Sequence, residues 1–191
     1  VNPMSSCIPV ASVLILFALR LQELRTKRAI IPGSIRETLT LRLFLATGTV
    51  MLVCIIVEFL VQGAVWHWIT FVAGWSCAIA SFLLRRRAIA ALGPYWSLHV
   101  EIRDQHAFIQ TGPFRWMRHP TYTSMILELV AGALILNAFV SLLIIPLLFI
   151  PVLIYRMKAE EAALVEKFGE AYRQYQISTP ALIPYKWPRA S

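Results

Sequence analysis

One eleven-residue stretch gathers most of the side chains in this sequence that could do chemistry: Gly112-Pro113-Phe114-Arg115-Trp116-Met117-Arg118-His119-Pro120-Thr121-Tyr122. Cations, an imidazole and aromatic rings stand there directly against an apolar segment. A second polar group, Arg156 with Glu160 and Glu161, follows two further apolar stretches. Polar groups collected at an oily boundary are what an enzyme needs to join a water-soluble cofactor to a lipid-like substrate. Pro120 suits the first turn of a helix, where its missing N–H costs nothing. Arg118 and His119 then stand at the helix entrance, where free N–H groups and the positive dipole end favour an anion. The same two residues would also serve as interfacial anchors that snorkel to headgroups. Arg156 and Glu160 are four positions apart and share a helix face, so they can form an ordinary ion pair or face a ligand together.

The elements that must position these groups are apolar helices. Of the 191 residues 58% are hydrophobic and 15% charged, against an apolar share of about 45–50% in ordinary soluble domains. The hydrophobic residues concentrate in segments near the ~20 residues that a helix needs to cross a bilayer. Membrane helices are predicted over about 4–22, 41–62, 66–91, 121–136 and 139–157. The first reads as a membrane helix rather than a cleaved signal peptide, because basic residues follow it instead of preceding it. The last two are separated only by Asn137 and Ala138, so a tight turn there would make them an antiparallel hairpin. That hairpin would bring His119 and Arg156 to one membrane face. Pro146 and Pro151 predict a bend or local unwinding in its second arm. Gly93-Pro94 stops the third helix, and 93–120 reads as a structured loop with a short extended piece around Leu98 to Arg103. Leu164, Phe168, Tyr172 and Tyr175 give 159–175 the spacing of an amphipathic helix. Pro180, Pro184 and Pro188 make the tail, 176–191, extended. The expectation is one all-α, polytopic membrane domain over 1–191, with about five transmembrane helices, a tight hairpin of the fourth and fifth, and a cytoplasmic cofactor pocket.

Charge placement supports that topology. All 18 Lys and Arg fall within 20–42, 85–118 and 156–189. By the positive-inside rule these groups are cytoplasmic and the N-terminus lies outside, which five crossings satisfy and four do not. Topology thus accounts for the net charge of +8, and no nucleic-acid partner is expected. Cys7, Cys54 and Cys77 form no Cys-x-x-Cys pair or His/Cys cluster, so no metal is expected either. Glu58 and Glu128, inside apolar segments, read as structural hydrogen-bonding groups. Arg85-Arg86-Arg87 reads as a topology signal, and His67, between Trp66 and Trp68, as part of an aromatic belt.

The two clusters, in this order around a short hairpin, resemble the isoprenylcysteine carboxyl methyltransferase family, of which this chain looks like a compact prokaryotic member. The resemblance covers roughly residues 92–185 and rests on Leu92-Gly93, Trp96, Gly112-Pro113-Phe114, Arg118-His119-Pro120-Thr121-Tyr122, Glu160-Glu161, Leu164, Phe168-Gly169, Tyr172, Tyr175 and Leu182-Ile183-Pro184. Phospholipid N-methyltransferases share the Arg-His-Pro motif, and membrane sterol reductases a similar C-terminal architecture. The resemblance implies S-adenosylmethionine as methyl donor, leaving S-adenosylhomocysteine, and a lipophilic prenylcysteine carboxylate as acceptor, at the cytoplasmic face of the bilayer. It implies no Rossmann sheet, in keeping with the absence of a Gly-x-Gly-x-x-Gly turn here. It places His99, Val100, Glu101, Gln105, Gly112, Pro113, His119, Pro120, Tyr122 and Glu160 around the cofactor, and Arg118, Arg156 and Glu160 around the reacting groups. Methylation of an amine lipid is the alternative, and reduction of a lipid double bond a weaker one, because few cations stand in the loop for a phosphorylated nucleotide.

Overall fold

Helix breakers divide the apolar sequence into its elements. A computed structural model of the chain describes residues 3–25, 34–37, 39–95, 100–102 and 108–186. Within these, α1 spans Pro3–Arg25, β1 Ser34–Glu37, α2 Leu39–Val61, α3 Trp68–Leu92, β2 Val100–Ile102, α4 Pro120–Ile135, α5 Phe139–Phe168 and α6 Glu170–Ser178. Gly93 ends α3 in the left-handed region at φ 52°, its N–H bonded to the Ile89 carbonyl. Pro120 opens α4 as its first residue. Asn137 turns α4 into α5 at φ 53°, a conformation that Asn tolerates better than most residues with a Cβ. Its buried side chain is held from the α2–α3 connection and α3: the Thr70 hydroxyl donates to Oδ1, and Nδ2 donates to the Val65 carbonyl at 3.4 Å. The hairpin expected at Asn137 is therefore present.

Cross-helix contacts show that α2, α3, α4 and α5 alternate in direction. Glu58, near the end of α2, accepts the N–H groups of Val140 at 2.8 Å and Ser141 at 2.6 Å, satisfying orphan donors at the start of α5. Thr40, at the start of α2, meets Arg156 far along α5. Met51, Ile55 and Phe59 of α2 pack with Ile145, Phe149 and Leu153 of α5 in the main apolar core. The α3–α4 seam is tighter. A Cβ added at Gly74 would stand 2.7 Å from Ile135 Cγ1 and 2.9 Å from the Ala131 carbonyl oxygen. Gly74, Ala78, Ser81 and Ala88 form a buried stripe of small residues on α3, which lets two backbones approach closely in an apolar medium. The Ser81 hydroxyl donates to the Ser124 carbonyl at 2.6 Å across that seam.

Three helical segments, Leu39–Val61, Trp68–Tyr95 and Phe139–Phe168, are long and apolar enough to cross a membrane; the apolar parts of α1 and α4, Cys7–Arg20 and Pro120–Ile135, are shorter. Leu43, Val53, Leu143 and Leu147 are exposed on the outer faces of α2 and α5. So oily an exterior fits a bilayer rather than water. The chain has the architecture of a helical, multi-pass membrane protein.

The structure adds to or departs from the sequence reading in four places. The helical fold carries one small addition: β1 and β2 pair antiparallel, with Ser34 opposite Ile102, Ile35 opposite Glu101 and Glu37 opposite Val100. The expected extended piece is thus real, but its partner of four residues is too short to show a period. Next, α5 does not end near residue 157. Ala159, Glu160, Glu161, Ala162 and Ala163 are mostly good helix formers, so the helix runs on to Phe168, and Gly169, at φ 57°, makes the break before α6. Of the bend or local unwinding expected at Pro146 and Pro151, the unwinding is absent, for α5 passes through both without interruption. Finally, Arg85 is more than a topology signal. It is buried and donates to Glu23 at 2.8 Å and Glu128 at 2.7 Å, whereas Arg86 and Arg87 are exposed.

Candidate active site

The start of α4, the polar end of α5 and α6 converge at the bundle end opposite the Asn137 turn. His119 caps α4 and is 3% exposed. Its Nε2 lies 2.8 Å from Glu161 Oε1, its Nδ1 lies 3.9 Å from Glu160 Oε2, and its ring stacks on Tyr122 with centroids 5.4 Å apart. One turn into α4, the Tyr122 hydroxyl donates to Glu160 Oε2 at 2.7 Å. The start of α4 thus grips both Glu160 and Glu161 of α5, and the rigid Pro120 backbone fixes the spacing of the two grips.

Arg118 fastens this arrangement from the loop side. Its Nε donates to Glu161 Oε1 at 2.7 Å, while Nη1 donates to the Gln176 carbonyl at 2.8 Å and to the Thr179 carbonyl. These carbonyls lie at the C-terminal end of α6, where a cation is favoured. Backbone bonds continue the attachment: the N–H groups of Arg118 and His119 donate to the carbonyls of Pro180 and Ala181, each at 2.9 Å. The Thr123 hydroxyl adds a bond to the Leu182 carbonyl at 2.8 Å. The extended tail is therefore strapped along the start of α4. Phe108 lies among Phe168, Tyr172 and Tyr175, with centroids 5.0, 5.6 and 5.8 Å away. The Tyr175 hydroxyl donates to the Phe114 carbonyl at 2.6 Å, tying α6 to the turn Gly112–Arg115. Burial, together with the neighbouring Glu161 and Glu160, pushes the Tyr172 phenol well above its usual range, so it stays a neutral O–H donor.

Arg156 sits deeper, on the α5 face one turn before Glu160. It is 4% exposed, its Nη1 donates to Thr40 Oγ1 at 3.1 Å, and its guanidinium carbon lies 5.9 Å from the Phe44 ring centroid. Glu160 keeps 36% of its side-chain surface exposed, and among the described residues no Lys or Arg pairs with it. Exposed carboxylate above, buried cation below: the two ends of a zwitterionic or carboxylate-bearing ligand would find partners along one helix face.

The structure thus brings Arg118, His119, Pro120, Tyr122, Arg156 and Glu160 to one end of the bundle. Gly112 and Pro113 lie in the turn beside them, where a Cβ on Gly112, at φ 59°, would stand 3.5 Å from Ala91 Cβ. Val100 and Glu101 lie in β2, and His99 and Gln105 fall outside the described residues. Glu161 joins the cluster; its signal was the doublet with Glu160. Thr40 and Phe44 also belong to it, and spacing alone gives no reason to single them out. No group of three or more His, Cys, Asp or Glu among the described residues could hold a metal.

Comparison with known proteins agrees with this geometry. The model of the isoprenylcysteine carboxyl methyltransferase (ICMT) family matches residues 73–166, which include the start of α4, the hairpin and the Arg156–Glu161 cluster. The Bacillus subtilis protein YpbQ is 30% identical over 99 residues, 49% of this chain and 59% of that protein. The protein-S-isoprenylcysteine O-methyltransferase of Schizosaccharomyces pombe is 31% identical over 103 residues, 53% of this chain and 44% of that enzyme. A solved structure of the eukaryotic intramembrane Ras methyltransferase ICMT superposes with a TM-score of 0.62 at 25% identity, covering 73% of this chain and 53% of that one. The chain thus spans about half the length of these relatives. Through residues 73–166 the chain is thus similar to the isoprenylcysteine carboxyl methyltransferase family.

Proposed function

We propose that this protein transfers a methyl group from S-adenosylmethionine to the C-terminal carboxylate of an isoprenylated cysteine, forming a methyl ester at the cytoplasmic membrane face. The observation that carries this reading is the stacking of Glu160 over Arg156 on one face of α5, at the edge of an apolar bundle. The chemistry of the donor set fits the cofactor: a part-exposed carboxylate without a basic partner among the described residues suits its ammonium group. When bound, the cofactor supplies an electrophilic sulfonium methyl. Tyr122 holds Glu160 in place for the ammonium, and the resemblance assigns Gly112, Pro113 and the segment 99–105 to the same ligand.

The acceptor carboxylate is ionised at neutral pH, so the reaction needs no general base. It needs a desolvated nucleophile held in line, and Arg156, out of water, is suited to orient it. Because Arg118 directs Nε and Nη1 to Glu161 and the carbonyls at the end of α6, we assign it to positioning the α4 and α6 ends rather than to binding substrate. His119 is likewise engaged by Glu161 through Nε2, and an already ionised carboxylate acceptor asks for no base from it. The prenyl chain would reach Arg156 from the bilayer. In this reading α1 and α4 also cross the membrane, giving five crossings, with the N-terminus outside and the basic connections inside.

Purified protein incubated with radiolabelled S-adenosylmethionine and S-farnesylcysteine is expected to give a base-labile, volatile methyl label. No transfer, or a base-stable label on an amine lipid instead, would overturn the assignment.

A further inference from the structure

The matched family region begins at residue 73, yet the deepest cation of the site is held by a helix that ends at Val61. We infer that Thr40 and Phe44 of α2 are positioning residues that aim the Arg156 guanidinium at the acceptor carboxylate. The inference rests on the reading of Arg156 given above. A guanidinium is a planar fork, and it binds a carboxylate with two parallel bonds only when the fork lies in the right plane and at the right rotation. The arginine stem rotates about several bonds, so the plane and the rotation have to be set by neighbours.

Here α2 sets both. Thr40 is fully buried and accepts from Nη1 at 3.1 Å, which fixes one tine of the fork. Phe44, four residues on and so on the same face of α2, lies 5.9 Å from the guanidinium carbon, within the range of a cation–π contact. That ring is itself held, 6.3 Å from Tyr122 and 5.1 Å from Phe149 by ring centroids. Tyr122 in turn donates to Glu160. Phe44 thus contacts both the cation itself and Tyr122, the residue that holds the acid, and it covers Arg156 with an apolar plate that keeps water from the reacting oxygen. On this account α2 is part of the active site and not only a membrane span.

The test uses the full chain in detergent or lipid nanodiscs. Thr40→Val keeps the shape and removes the acceptor, whereas Thr40→Ser keeps the acceptor. Thr40→Val is expected to lower kcat about tenfold, the effect of losing one hydrogen bond to a charged group, with the Kd for S-adenosylmethionine unchanged in calorimetry and Thr40→Ser close to wild type. A second readout does not depend on turnover. Intrinsic tryptophan fluorescence measures how strongly the wild type prefers S-farnesylcysteine, the free acid, over its methyl ester. Thr40→Val should erase that preference without weakening the ester. The inference is overturned if Thr40→Val keeps the preference, if Thr40→Ser is as impaired as Val, if acid and ester weaken together, or if the wild type has no preference. A wild type that prefers the acid but transfers no methyl group refutes the proposed reaction and leaves the role of α2 standing.

Discussion

Arg20, Glu23, Arg85 and Glu128 meet between α1, α3 and α4, whereas His119, Glu160, Glu161, Arg118 and Arg156 meet where α4, α5 and α6 converge. In the first group each cation faces an acid from within the bundle: Arg85 pairs with Glu23 and Glu128, and Arg20 lies 3.1 Å from Glu23 and 3.8 Å from Glu128. Two positive and two negative charges close on themselves. In the second group Glu161 closes in the same way on Arg118 and His119, but among the described residues Glu160 takes a phenol hydroxyl and a more distant imidazole and no Lys or Arg. Arg156, for its part, is contacted by a hydroxyl and an aromatic face. A charge matched by a fixed opposite charge holds helices together. Glu160, matched by no fixed Lys or Arg among the described residues, keeps electrostatic capacity for something that arrives later.

The largest effect should come from unbalancing the closed group. Arg85→Ala leaves Glu23 and Glu128 to share Arg20 alone, one negative charge in excess, and breaking one side of such a group costs about 3–5 kcal/mol. Unfolding followed by circular dichroism in detergent should show that loss. The double variant Arg85→Met with Glu128→Leu should recover much of it, since replacing a buried pair by apolar groups is often neutral. If Arg85→Ala were as stable as wild type yet inactive, this group would be part of the chemistry and not of the scaffold.

Glu160→Gln should do the reverse. It keeps a partner for the Tyr122 hydroxyl but removes the charge, so stability should hold while affinity for S-adenosylmethionine falls by about 2 kcal/mol, the worth of a charge-assisted bond. Calorimetric titration reads the Kd directly, and an unchanged value would strip Glu160 of its assigned role. Between these two lies Gly74→Ala. Its Cβ would press on Ile135 and on the Ala131 backbone, and overpacking of this kind costs about 1–3 kcal/mol. A stability equal to wild type would mean that the α3–α4 seam yields more readily than its spacing implies.

How far the sequence reveals these two groups follows from how local their signals are. The hairpin is legible because Asn137 and Ala138 interrupt two apolar runs, and Asn accepts the left-handed turn. Glu160 and Arg156 are legible because four residues is one helical turn. The start of α4 is legible because Pro tolerates few other places. Arg85, by contrast, hides in a run of three arginines, and only the packing of α1 and α4 against α3 decides which of the three turns inward. The continuation of α5 to Phe168 hides because the change from apolar to charged sequence marks where the helix leaves the oily layer, not where it ends. Thr40 hides most completely: its partner is 116 residues away, and a threonine at a helix start has an ordinary local explanation as a capping residue.

The smallest expected effect concerns Tyr172, which separates holding from waiting within the second group itself. Its ring is 2% exposed and packs edge-on against Phe108 and Tyr175. The hydroxyl of Tyr175 reaches the Phe114 carbonyl, whereas that of Tyr172 has no hydrogen-bond partner among the described residues. A buried hydroxyl without a partner is a cost to the folded state, so removing it should be neutral or slightly favourable, worth at most about 1 kcal/mol. Tyr175→Phe would instead strand the Phe114 carbonyl and should destabilise the protein by about 1–2 kcal/mol. Melting temperatures of the two variants without ligand should therefore move in different directions or by clearly different amounts. Repeating both melts with saturating S-adenosylmethionine then asks whether Tyr172→Phe gains less from the ligand than wild type does. A smaller gain would mean that this phenol is completed by what binds beside Glu160, and an equal gain would return it to the packing of α6.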